Sequence, residues 1–189
     1  MKHKLILASS SPQRRKLLKK ARIPFEVIPS NVDEGDANRI PGRKARKLVL
    51  ALARKKAVAV AKKFKSQDRI VLGADTIVVC GGKIFGKPRN AAHAERMLGE
   101  LSNSWQTVIT GLCVVRTKTW SVNAAFTETK LLFHPMDDKT IRRLASKNLD
   151  KSGSYSIQKM PDRFVKRMVG PLDNVIGLPV AQVRKMLKI

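Results

Sequence analysis

The stretch Leu5-Ile6-Leu7-Ala8-Ser9-Ser10-Ser11-Pro12-Gln13-Arg14-Arg15-Lys16-Leu17-Leu18 constrains what this chain can fold into more than any other. An apolar run of strand type stops at three serines, and a proline stands where a helix would begin. Ser11 can accept from the free N–H groups of that helix, and Pro12 fits its first position, where a missing N–H costs nothing. The helix then opens with Arg14 and Arg15 at its positive end. The macrodipole disfavours cations there unless an anion is shared by the dipole, the free N–H groups and the guanidinium groups. A basic surface helix is the alternative reading, but the serines and the proline also stand where a phosphate site needs them.

The rest of the chain alternates in the same way. A strand is expected over 4–8 and a helix over 12–21, then an extended segment 24–29 leading to the acidic loop Asn31-Val32-Asp33-Glu34-Gly35-Asp36. Pro41 to Lys63 reads as one long helix, with Leu48, Leu52, Ala53, Ala57 and Val60 at helical spacing. Residues 70–80 form a buried strand, and Gly81-Gly82 turns it into a hairpin with Lys83-Ile84-Phe85. Asn90 caps a helix to about Leu101, strands 105–117 and 120–133 join at Lys118-Thr119, and Asp137 or Asp138 opens a helix to about Asn148. Strands 153–158 and 163–169, then Gly177-Leu178-Pro179 and a terminal helix, complete the chain. The pattern predicts an α/β fold with a mixed sheet flanked by helices, as one domain over 1–189.

Charge bounds the function only loosely. The chain carries 39 Lys and Arg against 14 Asp and Glu, a net +25 that attracts polyanions. The cations spread over almost every expected helix, and aromatics at 5% leave little for a base-stacking platform, so nucleic acid is expected to bind non-specifically if at all. Cys80 and Cys113 stand alone in apolar runs, with neither a disulfide framework nor zinc spacing, and the histidines are scattered. With no signal-type or membrane-spanning run, a soluble cytoplasmic protein with no membrane association is expected.

In so basic a chain the acids are informative. Asp75 lies within Ile70-Val71-Leu72-Gly73-Ala74-Asp75-Thr76-Ile77-Val78-Val79, otherwise apolar and β-branched. An unpaired buried carboxylate costs several kcal/mol, so it must be paired, protonated or metal-bound. The alternative is an Asp that caps a turn at a strand end. Gly73 and Ala74 are expected to leave room for a ligand. Asp33, Glu34 and Asp36 read alone as a solvated loop, but beside a phosphate site they offer the hard oxygens a Mg²⁺ ion uses. Lys87, between Gly86 and Pro88, suits an ammonium aimed at phosphate, or is simply solvated. In Lys151-Ser152-Gly153-Ser154-Tyr155-Ser156-Ile157-Gln158 the hydroxyls and amide can bind phosphate or a base edge, or the segment is a loop with Tyr155 in the core.

Taken together, seven segments in order resemble the Maf family of nucleoside triphosphate pyrophosphatases, historically named for septum-formation inhibition. They are Leu7-Ala8-Ser9-Ser10-Ser11-Pro12 with Arg14-Arg15 and Leu17-Leu18, Val32-Asp33-Glu34, Leu52-Ala53 with Lys56-Ala57, Gly73-Ala74-Asp75-Thr76, Gly86-Lys87-Pro88 with Gly111-Leu112, Gly153 with Tyr155-Ser156-Ile157-Gln158, and Val175-Ile176-Gly177-Leu178-Pro179. The resemblance covers essentially the whole chain. It implies hydrolysis of a nucleoside triphosphate to the monophosphate and pyrophosphate with Mg²⁺ or Mn²⁺, on a fold similar to the inosine triphosphate pyrophosphatases with a central cleft, and a homodimer. By the same resemblance Asp75 is the proton acceptor that activates water, Glu34 a metal-associated carboxylate, and Ser9, Arg14, Lys56 and Lys87 the phosphate contacts.

Three positions divide that family by substrate. In the subgroup similar to dTTP/UTP pyrophosphatases they are Arg, Thr and Gln, and the 7-methyl-GTP subgroup has Trp at the first. Here they are Gln13, Thr76 and Gln158, two of which point to dTTP and UTP; Gln13 departs from both patterns, and Lys159-Met160 replaces the small residue that usually follows the glutamine. Modified pyrimidine nucleotides, a 7-methyl-GTP-type activity, and a nucleic-acid-binding or cell-division regulatory role are the alternatives. The first shares the chemistry; the last predicts that charge on helix 43–63 matters and Asp75 does not.

Overall fold

The computed structural model describes residues 5–149, 151–155 and 164–189. In chain order these form β1 (Leu5–Leu7), α1 (Pro12–Lys20), β2 (Phe25–Val27), α2 (Ala45–Ala61), β3 (Ile70–Cys80), β4 (Lys83–Phe85), α3 (Ala91–Leu101), β5 (Trp105–Arg116), β6 (Ser121–Phe133), α4 (Asp138–Ala145), β7 (Val165–Val169), α5 (Leu172–Ile176) and α6 (Val180–Leu187). The strands make one mixed sheet in the order β2-β1-β3-β5-β6-β7, with β4 paired to β3. β2, β1 and β3 run parallel, and every pair from β3 to β7 is antiparallel.

Strand alternation sorts the core into two sides. Leu72 and Ala74 face α1 and α6, packing with Leu18, Val183 and Met186. Val78 and Val108 continue that side against Met97 and Leu98 of α3 and Leu144 of α4. Val71 and Ile77 face the other way, toward α2, whose Val49, Ala53, Ala57 and Val60 cover β3 and β5. Two glycines set how closely α2 lies on the sheet. A Cβ on Gly111 would come 2.5 Å from the Val49 carbonyl oxygen, and one on Gly73 would overlap that of Ala53.

α1 begins as expected, with the Ser11 hydroxyl accepting from the Arg14 N–H and Pro12 in the first turn. The turn at Gly81-Gly82 has φ of +53° and +73°, the sign pair of a tight hairpin. The helix expected over Pro41–Lys63 is shorter. Pro41 is extended and bridges to Lys83, a 3-10 turn occupies Gly42–Lys44, and another ends the helix at Lys62–Phe64. The cause is non-local: the Gly42 N–H donates to the Gly82 carbonyl at 2.8 Å, and a Cβ on Gly42 would lie 2.5 Å from that oxygen. The expected strand 153–158 is also corrected at its start. Ser152–Ser154 is a 3-10 turn with Gly153 and Ser154 at positive φ, and only Tyr155 is extended. Residues 156–158 lie outside the described residues.

β3 is longer than its neighbours on one edge, and this positions the site. There β1 pairs with Ile70–Leu72 and β4 with Val78–Cys80. The residues between, Gly73 to Ile77, have no strand on that edge among the described residues. A cleft of about 760 Å³ opens there, within the size range of ligand sites. Ser9–Ser11, Glu34, Lys56, Asp75, Thr76 and Lys87 line it.

Candidate active site

Asp75 sits in that opening with its side chain toward α2, and is 4% exposed. One carboxylate oxygen accepts from Lys56 Nζ at 2.6 Å, and the other is buried with no partner among the described residues. Burial raises its pKa, while Lys56 and Arg14 pull it back and Glu34 adds to the rise. The sequence expectation that such an acid needs a partner therefore holds for one oxygen only. The room expected beside it at Gly73 and Ala74 does not exist: α2 backbone fills the space over Gly73, and Ala74 is core. The opening in the sheet edge makes the space instead.

Lys56 is 5% exposed on α2 and holds two acids at once, Asp75 and, at 3.0 Å, Glu34. Glu34 also lies 3.6 Å from Lys87 Nζ. Its half-burial opposes ionisation, but Lys56, Lys87 and Arg14 outweigh that and hold its pKa below the ordinary range. All three acids of the loop line the cleft, and among the described residues Glu34 is the one paired with its lysines. Asp33 accepts from the Gly35 N–H at 2.9 Å, and Asp36 caps its own turn on Asn38 and pairs with Arg39 at 3.4 Å. Asn38 also fixes the Lys87 loop, accepting from the Gly86 N–H at 2.9 Å and donating to the Lys87 carbonyl at 3.3 Å.

The two arginines that begin α1 part company. Arg15 lines a separate depression with Lys19, Ile23 and Phe25. Arg14 turns into the cleft wall and donates three times: to the Gly177 carbonyl at 2.9 Å, the Ser9 hydroxyl at 3.1 Å and the Thr76 hydroxyl at 3.2 Å. Burial lowers its pKa while Asp75 and Glu34 favour its charge. Gly177 delivers its carbonyl from a left-handed turn (φ 113°) that ends α5. Gln13 lines the cleft beside Pro12. Tyr155, left open by the sequence, packs edge-on to Phe133 at 5.0 Å, as a core residue. Gln158 lies outside the described residues.

Sequence reasoning missed the layer beneath Thr76. Its hydroxyl lies 3.0 Å from that of Thr110 on β5, which donates to the Asn174 carbonyl at 3.0 Å. The Asn174 amide in turn donates to the Val108 carbonyl and the Thr129 hydroxyl. Ser152 donates to the Thr76 carbonyl at 2.9 Å. The signal in the sequence is a polar residue in the apolar run Val108-Ile109-Thr110-Gly111-Leu112, far weaker than that of Asp75 because threonine is ordinary in a strand.

Chemically, this is a helix N-terminus, a guanidinium and two ammonium groups around a buried carboxylate with a free oxygen. The class is an α/β protein with a polyanion cleft at a break in a mixed sheet. The chain belongs to the Maf family: the family model described as Maf-like protein matches residues 4–189. It is 40% identical over 185 residues to a dTTP/UTP pyrophosphatase of Elusimicrobium minutum, covering 98% of this chain and 97% of the relative. A protein of the same name from Geotalea uraniireducens is 41% identical over 189 residues, covering 99% and 95%. One from Moorella thermoacetica is 40% identical over 188 residues, covering 98% and 94%. No described helix is long and apolar enough to cross a membrane.

Proposed function

We propose that this chain hydrolyses nucleoside triphosphates, dTTP and UTP foremost, to the monophosphate and pyrophosphate. The observation that carries the reading is the partnerless oxygen of Asp75, buried and of raised pKa, inside a cleft otherwise lined with phosphate-binding groups. That oxygen accepts the proton of a water attacking the α-phosphorus, and its raised pKa brings the base toward neutrality, where proton transfer is most effective. Lys56, which also orients Asp75, joins Ser9, Arg14, Lys87 and the α1 N-terminus in holding the phosphates and offsetting charge developing in the transition state. Gln13, Thr76 and Gln158 are assigned to base selection; the choice of dTTP and UTP follows the names of the relatives.

The chemistry of the donors fits a divalent cation. No group of three or more His, Cys, Asp or Glu forms a metal cage among the described residues. Mg²⁺, however, is commonly held by one or two carboxylates and the substrate's phosphates. Glu34, half-buried at the cleft mouth between Lys56 and Lys87, would hold it together with the substrate's phosphates, leaving the free oxygen of Asp75 to the water. Bound there, Mg²⁺ or Mn²⁺ supplies Lewis-acid neutralisation of the phosphoryl oxygens.

We also infer a homodimer through the outer edge of β6. Among the described residues β7 pairs with Lys130–Phe133 and no strand pairs with the rest of that edge, and Ser121 to Thr129 includes no Lys or Arg in a chain of net charge +25. Val122 and Phe126 are exposed there, and the Arg46 guanidinium that lies over the Phe126 ring is paired with Glu128 at 2.7 Å, so two copies meet where little unpaired charge repels them. A cytoplasmic setting accords with nucleotide substrates and two unpaired cysteines. Ala124→Lys should convert the dimer to monomer in sedimentation equilibrium, and a wild-type monomer at high concentration refutes the interface. The activity is tested by incubating the protein with dTTP and UTP and resolving the products. Pyrophosphate with monophosphate supports it; diphosphate with orthophosphate overturns it.

A further inference from the structure

We propose that Thr110 is a positioning residue that makes Thr76 a hydrogen-bond acceptor toward the cleft, so that the site selects bases presenting a ring N–H. The inference rests on the nucleotide reading above. It follows from the number of protons each hydroxyl owns. Thr110 is fully buried, has one proton, and lies 3.0 Å from the Asn174 carbonyl, which can only accept. With that proton committed, the 3.0 Å contact between the two threonine hydroxyls is made by the proton of Thr76. The opposite orientation would give up the bond to Asn174 and make one bond fewer in a buried site, where an unmade bond is costly. Arg14 takes one lone pair of Thr76 by donating at 3.2 Å. What remains for a ligand is the other lone pair.

The same guanidinium gives Ser9 the opposite polarity. The Ser9 hydroxyl accepts from Arg14 at 3.1 Å and from the Ser11 N–H at 3.2 Å, which fills both lone pairs and leaves only its proton to offer. One arginine thus separates a donor, matched to a phosphate oxygen, from an acceptor, matched to an N–H. Uracil and thymine carry N–H at ring position 3; cytosine carries a bare nitrogen acceptor there and meets a lone pair with a lone pair. The Asn174 carbonyl is held in place by its side-chain amide, which donates to Val108 at 3.1 Å and Thr129 at 3.0 Å, so the polarity is anchored in β5 and β6.

The test is the ratio of kcat/KM for UTP to that for CTP in the full-length protein, Thr110→Val and Thr110→Ser. Valine keeps the shape and frees the Thr76 proton to turn toward the cleft; the ratio should fall by about three- to tenfold, the worth of one hydrogen bond. Serine restores the hydroxyl and should restore the ratio. Loss of activity by one common factor on both substrates, with the ratio unchanged, marks a merely structural role and overturns the proposal. Should Thr110→Val not fold, N3-methyl-UTP with the unmodified protein decides: turnover as fast as UTP overturns it, and turnover no faster than CTP supports it. A wild-type protein that hydrolyses neither UTP nor CTP overturns the pyrophosphatase reading itself, a separate failure.

Discussion

Replacing Asp75 by Asn should damage catalysis and improve stability at the same time, and the two effects share one cause. Asparagine keeps the size of the side chain and removes both the base and the charge. Loss of a general base costs about 10²–10⁴-fold in kcat. Stability moves the other way because burial raises the Asp75 pKa even with Lys56 at 2.6 Å. Between the unfolded pKa, about 3.9, and the higher folded value, the native state binds more protons than the unfolded chain. Its stability therefore falls as pH rises across that window, and the penalty is complete above it. Asparagine does not titrate and mimics the protonated acid, so the variant escapes the penalty, while Lys56 keeps Glu34 at 3.0 Å. Each pH unit of displacement is about 1.4 kcal/mol, and each kcal/mol moves Tm by roughly 2–4 °C in a domain of this size. Thermal unfolding of both proteins from pH 3.5 to pH 8 provides the assay, with turnover measured alongside. The curves should meet at the acid end and diverge upward, the variant higher. A variant less stable by a constant amount at every pH, or one retaining near-full turnover, refutes the reasoning.

Lys56→Met leaves two acids facing each other and Asp75 buried without its cation; a loss of about 3–5 kcal/mol is expected in urea unfolding at pH 8, shrinking as pH falls and Asp75 takes up its proton. Glu34→Gln should raise the Mg²⁺ concentration for half-maximal activity by roughly tenfold or more while leaving Tm within about 1 °C, since its surroundings are half solvated. Gly111→Ala drives a methyl into the Val49 carbonyl and should cost about 1–3 kcal/mol, with kcat reduced because α2 carries Lys56. Gln13→Arg should raise kcat/KM for dTTP relative to CTP and GTP; an unchanged ranking refutes the assignment of that position.

What the sequence disclosed was local or costly. Ser11 and Pro12 define a helix start within a few residues, and Asp75 stands out because a carboxylate among β-branched residues must be explained. The break at Gly42 was hidden because its cause, Gly82, lies far along the chain. The different fates of Arg14 and Arg15 depend on which way α1 faces, which a short helix with few apolar residues does not declare. Thr110 and Asn174 escaped notice because threonine is ordinary in a strand and asparagine ordinary near a helix start. Only their complete burial in the folded chain gives them meaning.

The interruption in the sheet edge also bears on how such a protein diverges. On that edge Leu72 gives its carbonyl to the Ala8 N–H and Thr76 gives its own to the Ser152 hydroxyl, so groups outside the neighbouring strands take over the hydrogen bonds that a strand would make, and the main chain that faces the cleft is the opening turn of α1. Peptide groups are the same whatever side chains they carry. A grip on phosphate through the free N–H groups that open α1 would outlast substitutions that would dissolve a side-chain site. A cleft-lining side chain such as Gln13 could then change, and with it the bases accepted, while the cut in the phosphate chain stayed where it was.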